Sequence, residues 1–500
     1  MNTLQKEILS LDHVLSAGDI VNLAMRMLDC MNKEITLHSF RTAYLALHIS
    51  KFHRLHEDCS VQHLVLMSLL HTIGFFHSEV QFNYSPFDSN PDYFSDNIQT
   101  ESKYVFASYY LEYMTPLKGD ARALAAFNSL YDRSTTMAIY QEEYKNIIYF
   151  CARISDFVSK HSDEKLPDDL NELAPGHFDP TIVRAFNLAE KKFNLIWNLK
   201  NGNFQPAVTG YLYALNLPFE QTKQLEKILV YFIDFKSTCT MKHCINTSCY
   251  AFALGRRKGL NHKDLSSLYT SALLHDIGKM ATPQRILEFP GKLRPEDMGI
   301  MRHHVNHSKR LLTGFVPDDI LTNVYRHHEK LNGSGYPCHI KGDEITLIQR
   351  ILTVADITSA LGDTRSYKAE YSKETIIEII EEMTDDGELD PEITKYVIED
   401  FDNLKQELRD LQNVLKVDFS KVVSHYNSYI FSNMPGFTNE DLEPVDGLEP
   451  MDGLDPMGGL EPVDELEMVD GGEEIDGVEV IGGLEPVDED LDEPEDLEEI

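Results

Sequence analysis

Two stretches of this chain carry the same markers in the same order, and that duplication constrains the fold more than any other feature. In the later stretch, Thr240 and His243 are followed, 32 residues after the histidine, by His275 within Leu273, Leu274, His275, Asp276, Ile277 and Gly278. In the earlier stretch, Thr36 and His38 are followed, 33 residues after the histidine, by His71 within Leu69, Leu70, His71, Thr72, Ile73 and Gly74. The run Ile351 to Asp356 is answered by Phe150 to Asp156, and the second histidine precedes that aspartate by 81 residues in one case and 85 in the other. Three markers in register imply an internal duplication of about 200 residues, one supersecondary plan built twice.

Apolar residues recur mostly at spacings of three and four, as in Ile376, Ile377, Ile379, Ile380 and Met383, the signature of amphipathic helices rather than strands. The expected class is therefore all-α. Turn-forming pairs such as Pro175-Gly176 and Asn201-Gly202 interrupt the pattern between the copies. This reading divides the chain into a first domain over 1–200, a linker over 201–222, a second domain over 223–400 and a helical extension over 401–432. In the extension, Leu404, Leu408 and Leu411 share one face.

The net charge of −37 comes largely from the end of the chain. From Glu440 onward there are 26 acidic residues and no lysine or arginine, which leaves 56 acidic against 45 basic side chains in the rest. With Pro and Gly recurring in Leu442-Glu443-Pro444-Val445-Asp446-Gly447 and its relatives, and no aromatic after Phe437, residues 433–500 are expected to form a disordered tail. The mildly acidic body gives no electrostatic footprint for nucleic acid. Seven cysteines, odd in number and without a CxxC pair, read as reduced thiols. With no apolar run long enough for a bilayer and no signal peptide at the start, the expectation is a cytoplasmic protein without a membrane segment.

The chemistry concentrates in the second copy. His243, His275-Asp276, His303-His304, His327-His328 and Asp356 supply nitrogen and oxygen donors on neighbouring helical segments, a set suited to Mn, Fe, Zn or Mg rather than to a thiolate site. A carboxylate beside a histidine can bridge two cations, and two cations can activate water and clamp the oxygens of a phosphodiester. Lys279, one helical turn beyond Asp276, is placed to offset charge that develops on phosphorus-bound oxygen. Asp356 ends an apolar run and would be costly to bury without a partner such as a metal. The first copy has Thr72 for Asp276 and Phe75 for Lys279. Tyr104 takes the place of the single histidine, and Ala126, Phe127, Asn128 and Ser129 stand around the expected histidine pair. That copy is expected to bind no catalytic metal pair.

These motifs resemble the HD-GYP family, a subgroup of the HD superfamily of metal-dependent phosphohydrolases. The likeness spans roughly residues 235–400. It rests on His275 to Lys279, Pro283 with Ile286-Leu287, His327 to Glu329, Gly333 to Pro337, Arg350 to Asp356, and Asp363 to Tyr367. It implies two tandem HD-type helical domains, the first degenerate, and a phosphodiesterase that hydrolyses cyclic di-GMP to pGpG or GMP through a metal-bridging hydroxide. It further implies His243, His275, Asp276, His304, His327, His328 and Asp356 as ligands of two divalent ions, Mn or Fe first, with Mg, Ni or Zn as alternatives. His304 is chosen over its neighbour His303 because the family's single histidine falls there. Lys279 would contact the scissile phosphate, Tyr336 and Arg365 would hold substrate, and Gly333 and Gly335 would let the loop approach it. Cys239 stands where some members have a Glu that helps to hold a third metal, so two metals are expected. Ser308 and Ser359 replace a Gly and an Asp usual in the family, and Asn332 replaces the Asp that usually opens the Gly-Tyr-Pro segment. The alternatives are a hydrolase of another cyclic dinucleotide or nucleotide, or a cyclic-dinucleotide-binding scaffold. A homodimer and a protein partner for the acidic tail are compatible with this reading.

Overall fold

The computed structural model describes residues 2–433 apart from residue 13, 77–92, 95–97, 128–136, 175–177, 235–237, 288, 290, 292, 364–370 and 416–418. The expected tail, from residue 434 onward, lies outside the described residues. Among those described there is no strand, and the architecture is all-α. Many helices start at a side chain able to take an orphan backbone N–H. Asn32 accepts from Ile35, Asn261 from Asp264 and Thr346 from Gln349, each through its backbone N–H.

The two copies use the same four principal helices. In the first they are Lys33–Ile49, Val61–Leu70, Ile98–Met114 and Ile139–Lys160; in the second, Thr238–Arg257, His262–Leu274, His304–Leu312 and Leu347–Gly362. In each copy the second helix stops at a histidine, His71 or His275, and the chain turns into a short 3-10 segment, Ile73–Phe75 or Ile277–Ala281. A glycine makes that turn fit. A Cβ on Gly278 would run into the carbonyl oxygen of His304, and one on Gly74 into that of Lys103. Gly278 N–H also donates to Ser308 Oγ (2.8 Å), whose hydroxyl donates to His275 O (3.0 Å). Ser308 therefore ties the turn that carries His275 and Asp276.

Residues 201–222, expected as the linker, are largely helical. They hold the helix Phe204–Tyr213, which packs on Lys33–Ile49, and the start of Phe219–Asp234. One apolar core runs from Leu15 to Phe232 and continues into the second copy through Leu273, Leu274, Ile277, Leu312, Ile320 and Val324. A second core lies around Phe252, Leu268, Leu352, Ile380 and Leu404. The ends cross over. Leu4, Ile8 and Leu11 are buried in the second copy's core, whereas Val422, Tyr426 and Ile430 of the helix Phe419–Asn433 are buried in the first. Arg26 reinforces the junction by donating to the carbonyls of Leu311 (2.9 Å) and Thr313 (3.1 Å) while lying 4.3 Å from the centre of the Phe315 ring. It thereby caps the end of the helix that begins with His304.

A candidate metal centre

Each of the histidines expected to bind metal, apart from His328, spends its Nδ1 on a fixed partner. His275 Nδ1 faces the carbonyl of Ala272 at 2.7 Å, His304 that of Met301 at 2.8 Å, and His327 that of Val324 at 2.7 Å. A carbonyl can only accept, so Nδ1 carries the hydrogen and Nε2 keeps its lone pair when the ring is neutral. His243 Nδ1 sits 3.0 Å from Ser359 Oγ and 3.2 Å from Asp363 Oδ2.

The Nε2 atoms converge on two carboxylates. Asp276 Oδ2 lies 3.1 Å from His275 Nε2 and 3.7 Å from His243 Nε2, while its Oδ1 lies 3.4 Å from His304 Nε2. Its two oxygens thus face different imidazoles, the disposition a bridging ligand needs. Asp356 Oδ1 lies 2.9 Å from His243 Nε2 and 3.6 Å from His275 Nε2, and its Oδ2 lies 3.6 Å from His328 Nδ1. Three overlapping sets have donor atoms within 4.8 Å of one another: His243, His275 and Asp276; His275, His327 and Asp356; and His304, His327 and His328. Together they contain all seven residues expected as ligands. His303, the rejected neighbour, is exposed.

Electrostatics marks the cluster as a cation site. Burial alone would drive protons off His275, but Asp276 and Asp356 outweigh it and push the imidazole up to about 10. Burial likewise opposes the charges on Asp276 and Asp356. His275 and Lys279 nevertheless hold Asp276 well below the usual carboxylate range, and His243 and His275 do the same for Asp356. Lys279 Nζ donates to Asp276 Oδ2 at 2.6 Å. On the other side, burial lowers His304 to about 4 and His328 to about 3, and it lowers His327 well below its ordinary value. Two buried carboxylates thus face protonated groups on one side and neutral imidazoles on the other. His275 Nε2 and Asp276 Oδ1 are buried without a hydrogen-bond partner. Orphaned donors of this kind, converging at the centre of the cluster, fit divalent metal.

The family model for the HD domain matches residues 225–393. The second copy therefore carries the HD domain. The chain is 32% identical over 251 residues to 3'3'-cGAMP-specific phosphodiesterase 3 of Vibrio cholerae serotype O1, a match covering 49% of this chain and 54% of that protein. It is 24% identical to 3'3'-cGAMP-specific phosphodiesterase 1 of the same organism, over 75% of this chain and 89% of that protein. It is 31% identical to the cyclic di-GMP phosphodiesterase response regulator RpfG of Xanthomonas campestris pv. campestris, over 33% of this chain and 45% of that protein. The chain therefore spans about half the length of the first and third of these relatives and most of the second.

The remaining expected residues of the second copy fall in three places. The Tyr336 ring lies against His328, with centroids 4.7 Å apart. Gly333 takes a positive φ of 85°, and a Cβ on Gly335 would strike the backbone of residues 328–330. Both glycines therefore serve the fold of the loop itself, and Gly335 approaches the His-His-Glu backbone rather than an open site. Arg365 lies outside the described residues. Two acids outside the expected ligand set also serve the site. Asp363 holds the Nδ1 of His243, accepts from Ser359 Oγ at 2.9 Å and accepts from the Asn246 amide. Glu329 is buried and accepts the N–H of Cys338 at 2.5 Å, which pins the loop carrying Tyr336. Asp363 lies seven residues beyond Asp356 on the same helical register, and that spacing was the available signal.

The first copy repeats the scaffold and loses the donors. His38 Nδ1 meets Ser155 Oγ at 3.0 Å, as His243 meets Ser359, and His71 Nδ1 faces Ser68 O at 2.8 Å, as His275 faces Ala272. The match of Ser155 with Ser359 corrects the sequence alignment, because the counterpart of Asp356 three residues earlier is Ala152, not Asp156. Asp156 instead pairs with Lys160 at 3.1 Å near the surface. The counterpart of His304, judged by the glycine that presses on its carbonyl, is the buried Lys103 rather than Tyr104. Aromatic rings fill the centre: Tyr93 stacks on His38 at 4.1 Å, and Phe127, beside His71 at 5.7 Å, stands where His327 stands beside His275. Thr72 bonds Ser39 at 2.6 Å where the second copy has its bridging carboxylate. Among the described residues, no group of three metal donors occurs in the first copy.

Proposed function

We propose that this chain is a metal-dependent phosphodiesterase of cyclic dinucleotides. The observation that carries the reading is Asp276, a buried carboxylate whose two oxygens face different imidazoles while Lys279 holds one edge. The names of the relatives support a cyclic dinucleotide as substrate. The alignment that runs through both copies is with a protein named for 3'3'-cGAMP, which favours 3'3'-cGAMP as the first substrate to try. Cyclic di-GMP, the expectation from motifs, stands second, supported by the shorter alignment with RpfG.

On this reading His243, His275, Asp276 and Asp356 would hold one divalent cation, and Asp276, His304, His327 and His328 would hold another. When bound, such a pair supplies Lewis acidity and a nucleophile of hydroxide strength near neutral pH. The protein's own contribution is positional and electrostatic. Backbone carbonyls at 272, 301 and 324 aim three imidazoles before any ligand arrives, so little reorganisation is needed. Lys279, 22% exposed at its side chain and held at Asp276, would offset charge on the phosphoryl oxygens. Tyr336 lies beside His328 as an apolar wall for a base or sugar.

The test is metal content of the purified full chain, followed by product analysis with 3'3'-cGAMP and cyclic di-GMP in Mn²⁺ or Fe²⁺. Asp276→Asn should keep the helical spectrum, lose metal and lower turnover by about a thousandfold or more. Full metal loading with tight binding of either dinucleotide and no cleavage would instead establish a binding scaffold.

A further inference from the structure

We infer that Arg302 is a substrate-binding residue that holds the phosphodiester of the cyclic dinucleotide which is not being cut; this assignment rests on the function proposed above. Arg302 ends the helix Pro295–Arg302, two positions before His304. Its guanidinium carbon lies 5.2 Å from the centroid of the Tyr336 ring, and that ring in turn lies 4.7 Å from the ring of His328. The cation is therefore anchored to the same tyrosine that borders His328, at the edge of the histidine cluster.

Its neighbours in sequence are differently engaged. Arg285 and Arg294 both pair with Asp297, at 3.4 and 2.9 Å. Arg302 is exposed and has no carboxylate within ion-pair distance among the described residues. A guanidinium that rests against a ring keeps the N–H groups at its edge for a ligand. Charge matching says which ligand. A cyclic dinucleotide carries two phosphodiesters in one ring, each with one negative charge. Lys279 and the metal donors serve the one being cut, because Lys279 is bound to Asp276 at the centre. The other needs a cation that is near the centre but outside it. A planar guanidinium presents two N–H groups to a phosphate, and among the described residues Arg302 is a cation so placed.

The experiment compares a two-phosphate substrate with a one-phosphate substrate in the metal-loaded full chain. The readout is the ratio of kcat/KM for 3'3'-cGAMP, or for cyclic di-GMP, to kcat/KM for bis(p-nitrophenyl) phosphate. In Arg302→Ala this ratio should fall about tenfold or more, through KM for the dinucleotide, as expected for loss of a charge-assisted contact. Arg302→Lys should recover part of the loss, because it restores the charge at the phosphate but not the paired N–H contact. A ratio that stays at the wild-type value, or a lysine variant as impaired as the alanine one, overturns the assignment. Wild-type protein that cleaves neither dinucleotide removes the proposed function and this assignment together. Wild-type turnover with an unmoved ratio removes the assignment alone.

Discussion

His71 and His275 occupy the same place at the end of the same helix, with the same Nδ1 hydrogen bond to a backbone carbonyl, yet His71 is lowered to about 4 and His275 is raised to about 10. Burial lowers both. The difference comes from Asp276 and Asp356, whose counterparts in the first copy are Thr72 and Ala152. A consequence follows for stability. An unfolded histidine takes up its proton near 6.5, whereas folded His71 resists it until about 4. Between those values the unfolded state binds more protons, so stability is lost as pH falls, by up to about 1.4 kcal/mol per pH unit from this group. His38, held low by the same burial, adds to the loss in the same direction. Denaturant titrations between pH 7 and pH 4.5 should show a shallower decline in His71→Asn than in the unmodified chain, and equal slopes would refute the claim. The loss of Asp276 was legible in the sequence as Thr72. The pairings of Lys103 and Ala152 were not. Gly74 precedes Lys103 by 29 residues while Gly278 precedes His304 by 26, so the register slips between the markers. Asp156 then offered a false match, although Ala152 follows His71 by the same 81 residues that separate Asp356 from His275.

At the scale of elements, what matters is how tightly the turn after His275 is pressed against the helix His304–Leu312. There is no space for a Cβ on Gly278, because the obstacles are the carbonyl oxygen of His304 and the backbone N–H of Ser308. Gly278→Ala should therefore cost about 2–4 kcal/mol of stability and lower metal content by moving His304. The contrasting variant is Gly299→Ala. Gly299 lies inside the helix Pro295–Arg302 with nothing within 4 Å of an added Cβ, so alanine there should stabilise by about 0.5–1 kcal/mol. Thermal unfolding and metal analysis of the two variants check both statements. Helix positions and their buried faces were readable, as Leu404, Leu408 and Leu411 show by lying buried together. Periodicity specifies a face but not what covers it, so the placement of residues 201–222 against the first copy could not be read.

Across the whole molecule, the two copies share apolar surface rather than sitting as separate beads. Residues 225–393, the segment that matches the HD domain, leave Leu274, Ile277, Leu312 and Val324 without the first copy's core. They also lack Leu4, Ile8 and Leu11, which are buried against Leu404, Leu408 and Leu411. Expressed alone, that segment should bind a hydrophobic dye strongly and unfold without a cooperative transition, whereas the chain 1–433 should unfold cooperatively. A cooperative 225–393 fragment would show that the shared core is dispensable. No helix among the described residues is long and apolar enough to cross a membrane.

The crossed ends carry one more consequence. With residues 3–11 gripped by the second copy and residues 419–433 gripped by the first, a single cut in the backbone near Asn201–Gly202 would separate the covalent chain without freeing its parts. Each fragment would keep a helix of its own threaded into the other, much as a clasp holds after the chain it closes has been severed.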